Sequence, residues 1–452
     1  MVRVVLISAV ALAVLAFGGT EPGYFSLVQL LLLGCALLFV LAYGKPQVGT
    51  PRLPLAVPLL LLVLVLLQLV PLPASIVGQF GGAVLPLSQT SFATLSIAPY
   101  ETQSQLLLLV TFLAVFYLAL AISQRNDGRK HLILALLGLG TFEAFYGLAQ
   151  YLTRGQFFSS APVAPLANAT GTYINRNHFA GLLELILPFA LALAFYQFYK
   201  TRPLELTEPA RRENSFSSAE FPKVLLCLFL AVILFTALVF SRSRMGIVSA
   251  LVATLVLILL MATSTRRGKT GTVLPFLFLA AGLLAAIWIG PDPVLDRFTT
   301  LEREYAMNGQ GRLAIWQDTF NLIRQHPWLG SGFGTFPLAY TSVQTTFLNR
   351  FVNHAHNDYL EIISEIGTVG GLLLVGTVLY LLTQTVRRFR AGGDPFQRAV
   401  ALGCTGSLVA ILLHSLTDFN LYIPANLLVF GVVLGLACSL QQSAGGTLSE
   451  TS

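Results

Sequence analysis

Apolar runs of about 20 residues recur along the whole chain and are separated by shorter polar segments. Runs of this length cross a bilayer as α-helices, whereas membrane-barrel strands are about half as long and alternate in polarity. The pattern therefore predicts an all-α integral membrane protein with about twelve transmembrane helices. The predicted spans are 4–17, 25–43, 53–70, 105–123, 131–151, 178–198, 222–240, 246–263, 273–290, 356–383, 398–416 and 423–440.

One long polar interval, at 291–355, separates the ninth predicted span from the tenth. We therefore expect one membrane domain with a large inserted loop. The expected units are spans 1–9 within 1–290, the loop with an amphipathic helix at 291–355, spans 10–12 within 356–440, and a tail at 441–452. The interval 71–104 is apolar and rich in Pro and Gly, and its pattern predicts no element.

The composition agrees with a membrane protein, because 55% of the residues are hydrophobic and only 10% are charged. Soluble proteins carry about 25% charged residues. Each of the four cysteines lies in an apolar run, which is typical of small core residues. The first run follows Arg3 and can be interpreted as a signal peptide. We favour a retained span, because no small-x-small cleavage site stands out before Pro22.

The distribution of basic residues predicts the orientation of the chain. With the N-terminus in the cytoplasm, 18 of the 27 Lys and Arg residues, including every lysine, fall on the cytoplasmic side. Cytoplasmic loops are enriched in such residues. We therefore expect both termini in the cytoplasm and the 291–355 loop in the periplasm of a bacterial inner membrane. The net charge of +7 then reflects topology, and no motif favours a nucleic-acid partner.

Every basic residue on the predicted outer face is an arginine, the side chain that binds phosphate in a bidentate manner. The segment Ser241–Gly246 connects two apolar runs in six residues, so Arg242 and Arg244 should lie at the membrane surface. A ligand-binding role is favoured, and the alternative is that both arginines only anchor helix ends.

A second arginine stands at the start of a predicted amphipathic helix in the loop. Leu313, Trp316, Phe320 and Ile323 recur at helical spacing, which predicts a helix lying on the membrane or on the bundle. Arg312 lies at the N-terminus of this helix, where a cation opposes the helix dipole. This position favours a partner outside the helix, and the alternative is a plain surface arginine.

Two histidines, His354 and His356, lie at the start of the tenth predicted span. A helix beginning near His356 places Asp358, Glu361 and Glu365 on one stripe, which must face the protein interior or water. A neutral imidazole is suited to accept a proton near neutral pH. The alternative is a capping or interhelical histidine. No His-x-x-x-His or His-Glu-x-x-His pattern predicts a metal site.

Two further polar motifs flank spans on the same face. Arg176 and His178 belong to the segment Asn-Arg-Asn-His-Phe-Ala-Gly at 175–181. Asp418 belongs to the segment His-Ser-Leu-Thr-Asp-Phe-Asn at 414–420. A substrate role and simple helix capping are equally compatible with these motifs.

Taken in order, these motifs resemble the O-antigen ligase and polymerase superfamily of bacterial inner membranes. The resemblance covers about residues 168–430. It rests on the segments 175–181, 241–244, 311–316, 326–334, 356–361 and 365–370.

The resemblance implies a GT-C-like glycosyltransferase that uses no nucleotide sugar. Because arginines can neutralise a pyrophosphate, we expect the enzyme to need no metal and no cofactor. The resemblance implies that Arg244 and Arg312 bind the pyrophosphate of an undecaprenyl-linked glycan, with Arg242 as a second candidate for the first arginine. It also implies that His356, directly before Asn357, removes a proton from the acceptor hydroxyl, which attacks with inversion. His354 is an additional histidine near this position, and the secondary candidates are His354, Asn357, Arg176, His178 and Asp418.

The resemblance leaves several reactions open. A ligase moves the glycan to the lipid A core oligosaccharide, a polymerase joins repeat units, and a related branch glycosylates protein hydroxyls. The sequence favours the ligase reaction without specifying the acceptor. The alternative outside the enzyme class is a polytopic transporter or flippase, but the charges crowd one face and no paired halves are visible.

Overall fold

A computed structural model of the chain describes residues 2–43, 52–80, 92–153, 168–200, 221–264, 310–346 and 351–440. These residues are mostly helical, with one antiparallel pair of two-residue strands, β1 (Leu72–Pro73) and β2 (Phe92–Ala93). The helices are α1 (Val2–Leu15), α2 (Pro22–Tyr43), α3 (Arg52–Leu69), α4 (Ala74–Gln79), α5 (Pro99–Ile122), α6 (Asn126–Leu152), α7 (Arg176–Lys200), α8 (Phe221–Phe240), α9 (Arg244–Ser264), α10 (Gln310–Gln325), α11 (Phe336–Tyr340), α12 (Asp358–Arg390), α13 (Pro395–His414) and α14 (Pro424–Ser439).

Eight of the described helices are long and apolar enough to cross a membrane, and α1, the Ala56–Leu69 part of α3 and α14 are shorter apolar helices. These eleven coincide with predicted spans, which confirms the prediction of an all-α polytopic membrane protein. The remaining predicted span, 273–290, lies outside the described residues, as do the first part of the 291–355 loop and the tail.

The ends of several helices follow from local sequence. Proline begins α5, α13 and α14, where its missing N–H would have no helical partner. Before α13, the side chain of Asp394 accepts a hydrogen bond from the N–H of Phe396. At the end of α12, Arg387, Arg388 and Arg390 lie in the last turn, where cations favour the helix dipole.

Helix α7 lies at the centre of the bundle. Along the most apolar stretch of α7, 89% of the residues are buried, whereas the corresponding share in α2 is 28%. Helix α7 packs against α8 and α13, α12 packs against α13 and α3, and α10 packs against α12. The N-terminal end of the central helix therefore lies in the protein interior, next to the elements that carry the predicted site.

Helix α12 is broken at Gly367, which has φ 77° and ψ 169°. A Cβ at this position would lie 2.0 Å from the carbonyl oxygen of Trp328, so only glycine fits. The loop 327–335 fills the break, where the N–H groups of Ser331 and Gly332 donate to the carbonyls of Ser364 and Glu365. The break orients the first turns of α12, from Asp358 onward, independently of the rest of the helix.

The structure refines two local predictions. The tenth span begins at Asp358, two residues after its predicted start, and His356 lies outside the helix with a left-handed backbone, φ 52°. The sequence left open whether the apolar stripe of α10 faces the membrane or the bundle. Leu313 and Phe320 of that stripe are exposed, whereas Ile315 and Leu322, which do not belong to it, are buried. Asp318 and Thr319 are buried with this second face, so the apolar spacing did not reveal it.

Candidate functional site

Three segments that are distant in sequence meet at one place. They are the start of α10, the segment 351–357 before α12, and the connection 415–423 between α13 and α14. Arg312 Nη1 donates to the carbonyl oxygen of Thr417 at 3.0 Å. Trp316 Nε1 donates to the carbonyl oxygen of Ala355 at 2.9 Å. Helix α10 is thereby attached to both of the other segments.

His356 pairs with Asp418 at the centre of this region. The distance from His356 Nδ1 to Asp418 Oδ1 is 3.4 Å, a long hydrogen bond. Asn177 Nδ2 donates to the other oxygen of Asp418, and the Phe419 N–H donates to Oδ1 at 3.0 Å. Because a carboxylate only accepts hydrogen bonds, we assign the proton of neutral His356 to Nδ1, which leaves the Nε2 lone pair free to accept another.

Asp418 is buried yet charged. Burial by itself raises the pKa of Asp418, but the hydrogen bond from His356 and the charges that His178, His414 and His356 carry when protonated outweigh burial and lower it below its ordinary value. Asp418 is therefore an ionised, oriented partner for His356 at neutral pH.

His354 forms a second pair of the same kind. Its Nδ1 lies 2.7 Å from Oε1 of Glu361, and the Ala355 N–H donates to Oε2 of the same carboxylate at 2.7 Å. His354 and His356 both precede α12, and both approach Phe419.

Phe419 is the common neighbour of three histidines. His354 stacks on its ring with 3.9 Å between centroids, and the edges of His356 and His178 approach at 5.0 Å and 4.7 Å. Phe419 is almost fully buried. A rigid aromatic ring in this position restricts the orientations that the imidazoles can adopt.

Arg176 lies within electrostatic reach of three other arginines, Arg244, Arg242 and Arg312, and of Asp418. All four guanidinium groups belong to half-buried residues. Like charges repel at such sites, so this concentration of cations indicates an anionic ligand.

The turn between α8 and α9 brings two of these arginines to the site. Ser241 Oγ accepts from the Ser243 N–H at 3.1 Å, and Ser243 Oγ accepts from the Gly246 N–H at 3.4 Å. Arg242 has a left-handed backbone with φ 55°, and its guanidinium lies 6.0 Å from the ring centre of Tyr151. Arg244 begins α9.

The remaining secondary candidates have mainly local contacts. Asn357 caps α12 by accepting from the Tyr359 and Leu360 N–H groups, and its Nδ2 donates to the Leu416 carbonyl. Arg176 Nη1 donates to Asn168 Oδ1 at 3.1 Å. His178 is buried, and its Nε2 has no hydrogen-bond partner among the residues that the structure describes.

A further ionisable pair lies deeper in the bundle. His414 Nδ1 and Glu184 Oε1 are 3.0 Å apart, and both side chains are fully buried. This pair joins α7 to α13 below the connection that carries Asp418. Its position indicates a structural role in the placement of that connection.

An apolar cavity of about 180 Å³ adjoins the site. Its walls come from α3, α5, α12, α13 and α14, and are almost entirely hydrocarbon. Asp358, Tyr359 and Ser415 also line it, and these residues are neighbours of His356 and Asp418 in sequence. The apolar cavity therefore extends to the segments that carry His356 and Asp418.

The sequence did not reveal the roles of Phe419, Asn177 or Gln68. Gln68 is buried in α3, and its amide donates to the carbonyls of Leu329 and Glu365 at 2.7 and 2.8 Å while accepting from the Phe333 N–H. The sequence did contain a signal for Gln68, since it is an amide inside a leucine-rich span. A polar group within the membrane needs a hydrogen-bond partner from another part of the protein. Phe419 gave no signal beyond its place beside Asp418.

The arrangement combines a cationic region for an anion with a carboxylate-oriented imidazole. The imidazole can accept a proton, and the arginines can stabilise a leaving phosphate. Within the parts of the chain that the structure describes, no group of three or more His, Cys, Asp and Glu side chains is placed to hold a metal ion.

Comparisons with known proteins agree with this chemistry. A family model described as O-antigen ligase matches residues 229–375, which include the Ser241–Gly246 turn, Arg312 and His356. A protein named General O-oligosaccharyltransferase, from Acinetobacter baylyi, is 26% identical over 135 residues. That alignment covers 29% of this chain and only 22% of the relative. Together, the two matches show that this segment of the chain is similar to O-antigen ligases and to an oligosaccharyltransferase.

Proposed function

We propose that the protein is an O-antigen ligase-type glycosyltransferase. It moves a glycan from undecaprenyl pyrophosphate to a sugar hydroxyl of the lipid A core oligosaccharide, at the periplasmic face of the inner membrane. The observation that carries the proposal is the link from Arg312 through Thr417 to Asp418 and His356, which joins a phosphate-binding cation to a proton acceptor.

The arginines bind the donor. Arg244 and Arg312 hold the pyrophosphate, and Arg242 and Arg176 extend the cationic region around it. Their charge stabilises undecaprenyl pyrophosphate as it leaves, so neither a general acid nor a divalent ion is required.

His356 activates the acceptor. Its Nε2 takes the proton of the attacking hydroxyl, and Asp418 stabilises the imidazolium that results. The oxygen attacks the anomeric carbon opposite the leaving pyrophosphate, so the configuration at that carbon is inverted.

The apolar cavity accommodates the part of the polyprenyl chain next to the pyrophosphate. Its hydrocarbon walls suit an isoprenoid, and its polar end lies beside Asp358 and Ser415. A cavity of about 180 Å³ holds only a short part of the chain, and the rest remains in the membrane.

A deletion strain tests the proposed acceptor. Loss of a ligase leaves long polymer on the lipid carrier, whereas loss of a polymerase leaves single repeats attached to the core. We expect the first result, with complementation by the wild-type gene. Single repeats on the core would reassign the protein as a polymerase that uses the same donor.

The match to the oligosaccharyltransferase favours a second candidate, transfer of the glycan to a protein hydroxyl. This reaction uses the same arginines and the same base, and differs only in the acceptor. A deletion strain with normal lipopolysaccharide and unglycosylated membrane or periplasmic proteins would favour it.

A further inference from the structure

The proposed reaction uses one histidine–carboxylate pair, but the site contains two. The pair His354–Glu361 has a hydrogen bond of 2.7 Å, shorter than the 3.4 Å bond of His356–Asp418. The side chains of both histidines are 27% exposed, whereas both carboxylates are buried. The second pair is therefore as accessible to a substrate as the first.

Both imidazoles are held by their carboxylates through the same ring nitrogen, Nδ1. Each carboxylate accepts a hydrogen bond from Nδ1–H, so Nε2 of each neutral ring carries a lone pair. Within the described parts of the chain, neither Nε2 has a hydrogen-bond partner. The site therefore offers two hydrogen-bond acceptors of the same kind.

The second pair is rigid. Oε1 of Glu361 binds His354, and Oε2 binds the N–H of Ala355, the residue between the two histidines. Phe419 contacts both imidazoles, stacked on His354 and edge-on to His356. The relative position of the two rings is thus set before a substrate binds, which is a property of specific binding sites.

From this geometry we propose that His354 is an acceptor-binding residue that selects a sugar with two neighbouring hydroxyl groups. His356 removes the proton of the hydroxyl that attacks, and Nε2 of His354 accepts a hydrogen bond from the adjacent hydroxyl. This inference rests on the proposed function. It adds a specificity requirement for a vicinal diol, a group that a serine or threonine acceptor does not contain.

Kinetics of the purified full-length protein test the inference. The protein is placed in nanodiscs with a synthetic undecaprenyl-pyrophosphate glycan and lipid A core oligosaccharide, and KM is measured for each substrate. His354→Ala should raise the acceptor KM about 10- to 100-fold, the effect of losing one hydrogen bond in a buried site. The donor KM and the kcat at saturating acceptor should remain within about twofold of wild type.

A matched control uses another histidine–carboxylate pair of this chain. His131 and Asp127 form an exposed pair on α6, with 3.4 Å between Nδ1 and Oδ1. His131→Ala should change neither KM. An unchanged donor KM in His354→Ala also demonstrates that this variant is folded.

An acceptor lacking the neighbouring hydroxyl group completes the test. In the wild-type protein this deoxy acceptor should show the same rise in KM as His354→Ala, and in His354→Ala it should cause no further rise. If the deoxy acceptor raised KM further in His354→Ala, so that the two effects multiplied, the inference would be overturned. Loss of kcat at saturating acceptor in His354→Ala would also overturn it. If wild-type protein transfers nothing to lipid A core, the proposed function fails and the inference fails with it, whereas the other outcomes overturn only the inference.

Discussion

Arg312 and Thr417 are joined by a hydrogen bond of 3.0 Å from the guanidinium to the backbone carbonyl, across 105 residues of sequence. The next residue, Asp418, pairs with His356. A single connection between α13 and α14 therefore contacts Arg312, which is proposed to bind phosphate, and also the residue proposed as the base. Movement of this connection would change both functions together.

The two histidines should respond differently to removal. His356→Ala should lower kcat about 10²- to 10⁴-fold, the usual contribution of a general base. His354→Ala should leave kcat at saturating acceptor almost unchanged, because Glu361 engages it in a separate pair. Steady-state transfer assays check both values. The opposite order of effects would assign the base to His354.

Asp418→Asn should preserve the shape of the site and remove its charge. The pKa of Asp418 lies below its ordinary value, so its stabilising charge is present above the unfolded pKa and is lost only as the pH falls through the lower folded value. Without this charge, we expect kcat to fall at least about tenfold.

The pH dependence gives Asp418→Asn a second measurement. An imidazolium without its carboxylate partner is less stable, so the acidic limb of kcat/KM against pH should move to lower pH in this variant. The wild-type profile provides the comparison. An unchanged limb would indicate that Asp418 does not act through His356.

Arg312→Lys separates charge from geometry. Lysine keeps the positive charge but lacks the planar set of N–H donors of a guanidinium. It therefore cannot bind the Thr417 carbonyl and a phosphate at the same time in a fixed geometry. We expect turnover to fall about 10- to 100-fold, since one oriented donor to a developing charge is lost. Thermal unfolding in detergent should match wild type. A fully active, stable lysine variant would make Arg312 a surface anchor.

Transfer should continue in excess EDTA. In the proposed mechanism the arginines supply the positive charge that a divalent ion supplies in other pyrophosphate-dependent enzymes. Activity is measured with and without the chelator on the same preparation. Loss of activity in EDTA, with recovery on adding magnesium or manganese, would contradict the arginine mechanism.

Gly367→Ala should destabilise the protein strongly. Its φ of 77° with ψ of 169° strains any other residue, and a Cβ would contact the Trp328 carbonyl. We expect a loss of at least about 2 kcal/mol in the free energy of unfolding.

The matched control for Gly367→Ala is Gly376→Ala in the same helix. A Cβ at Gly376 meets no atom of the described residues within 4 Å. Because alanine favours a helix over glycine by about 1 kcal/mol, this variant should be neutral or more stable. Unfolding temperatures in one detergent compare the two variants. Equal temperatures would show that the break in α12 does not require glycine.

Much of the architecture was predictable from local pattern. Eleven of the twelve predicted spans coincide with helices. An apolar segment in lipid forms a helix because its backbone N–H and C=O groups have no water to bind and must hydrogen-bond to each other. The stripe of Asp358, Glu361 and Glu365 is buried, as helical periodicity predicts. The six-residue link between two spans places Arg242 and Arg244 at a helix junction.

Other features depend on contacts that no local pattern encodes. The left-handed backbone of His356 places it outside α12, and the break at Gly367 exists because the loop 327–335 supplies the missing hydrogen bonds. The pairing of His356 with Asp418 spans 62 residues, and the position of Phe419 among three histidines results from the packing of separate segments.

The sequence by itself thus determined the membrane spans and the kinds of side chain available for chemistry, since hydropathy and residue type act locally. Only the tertiary structure decided which carboxylate orients which imidazole and that a second pair stands beside the first. Those relationships depend on distances between segments far apart in the chain, which form only when the helices pack.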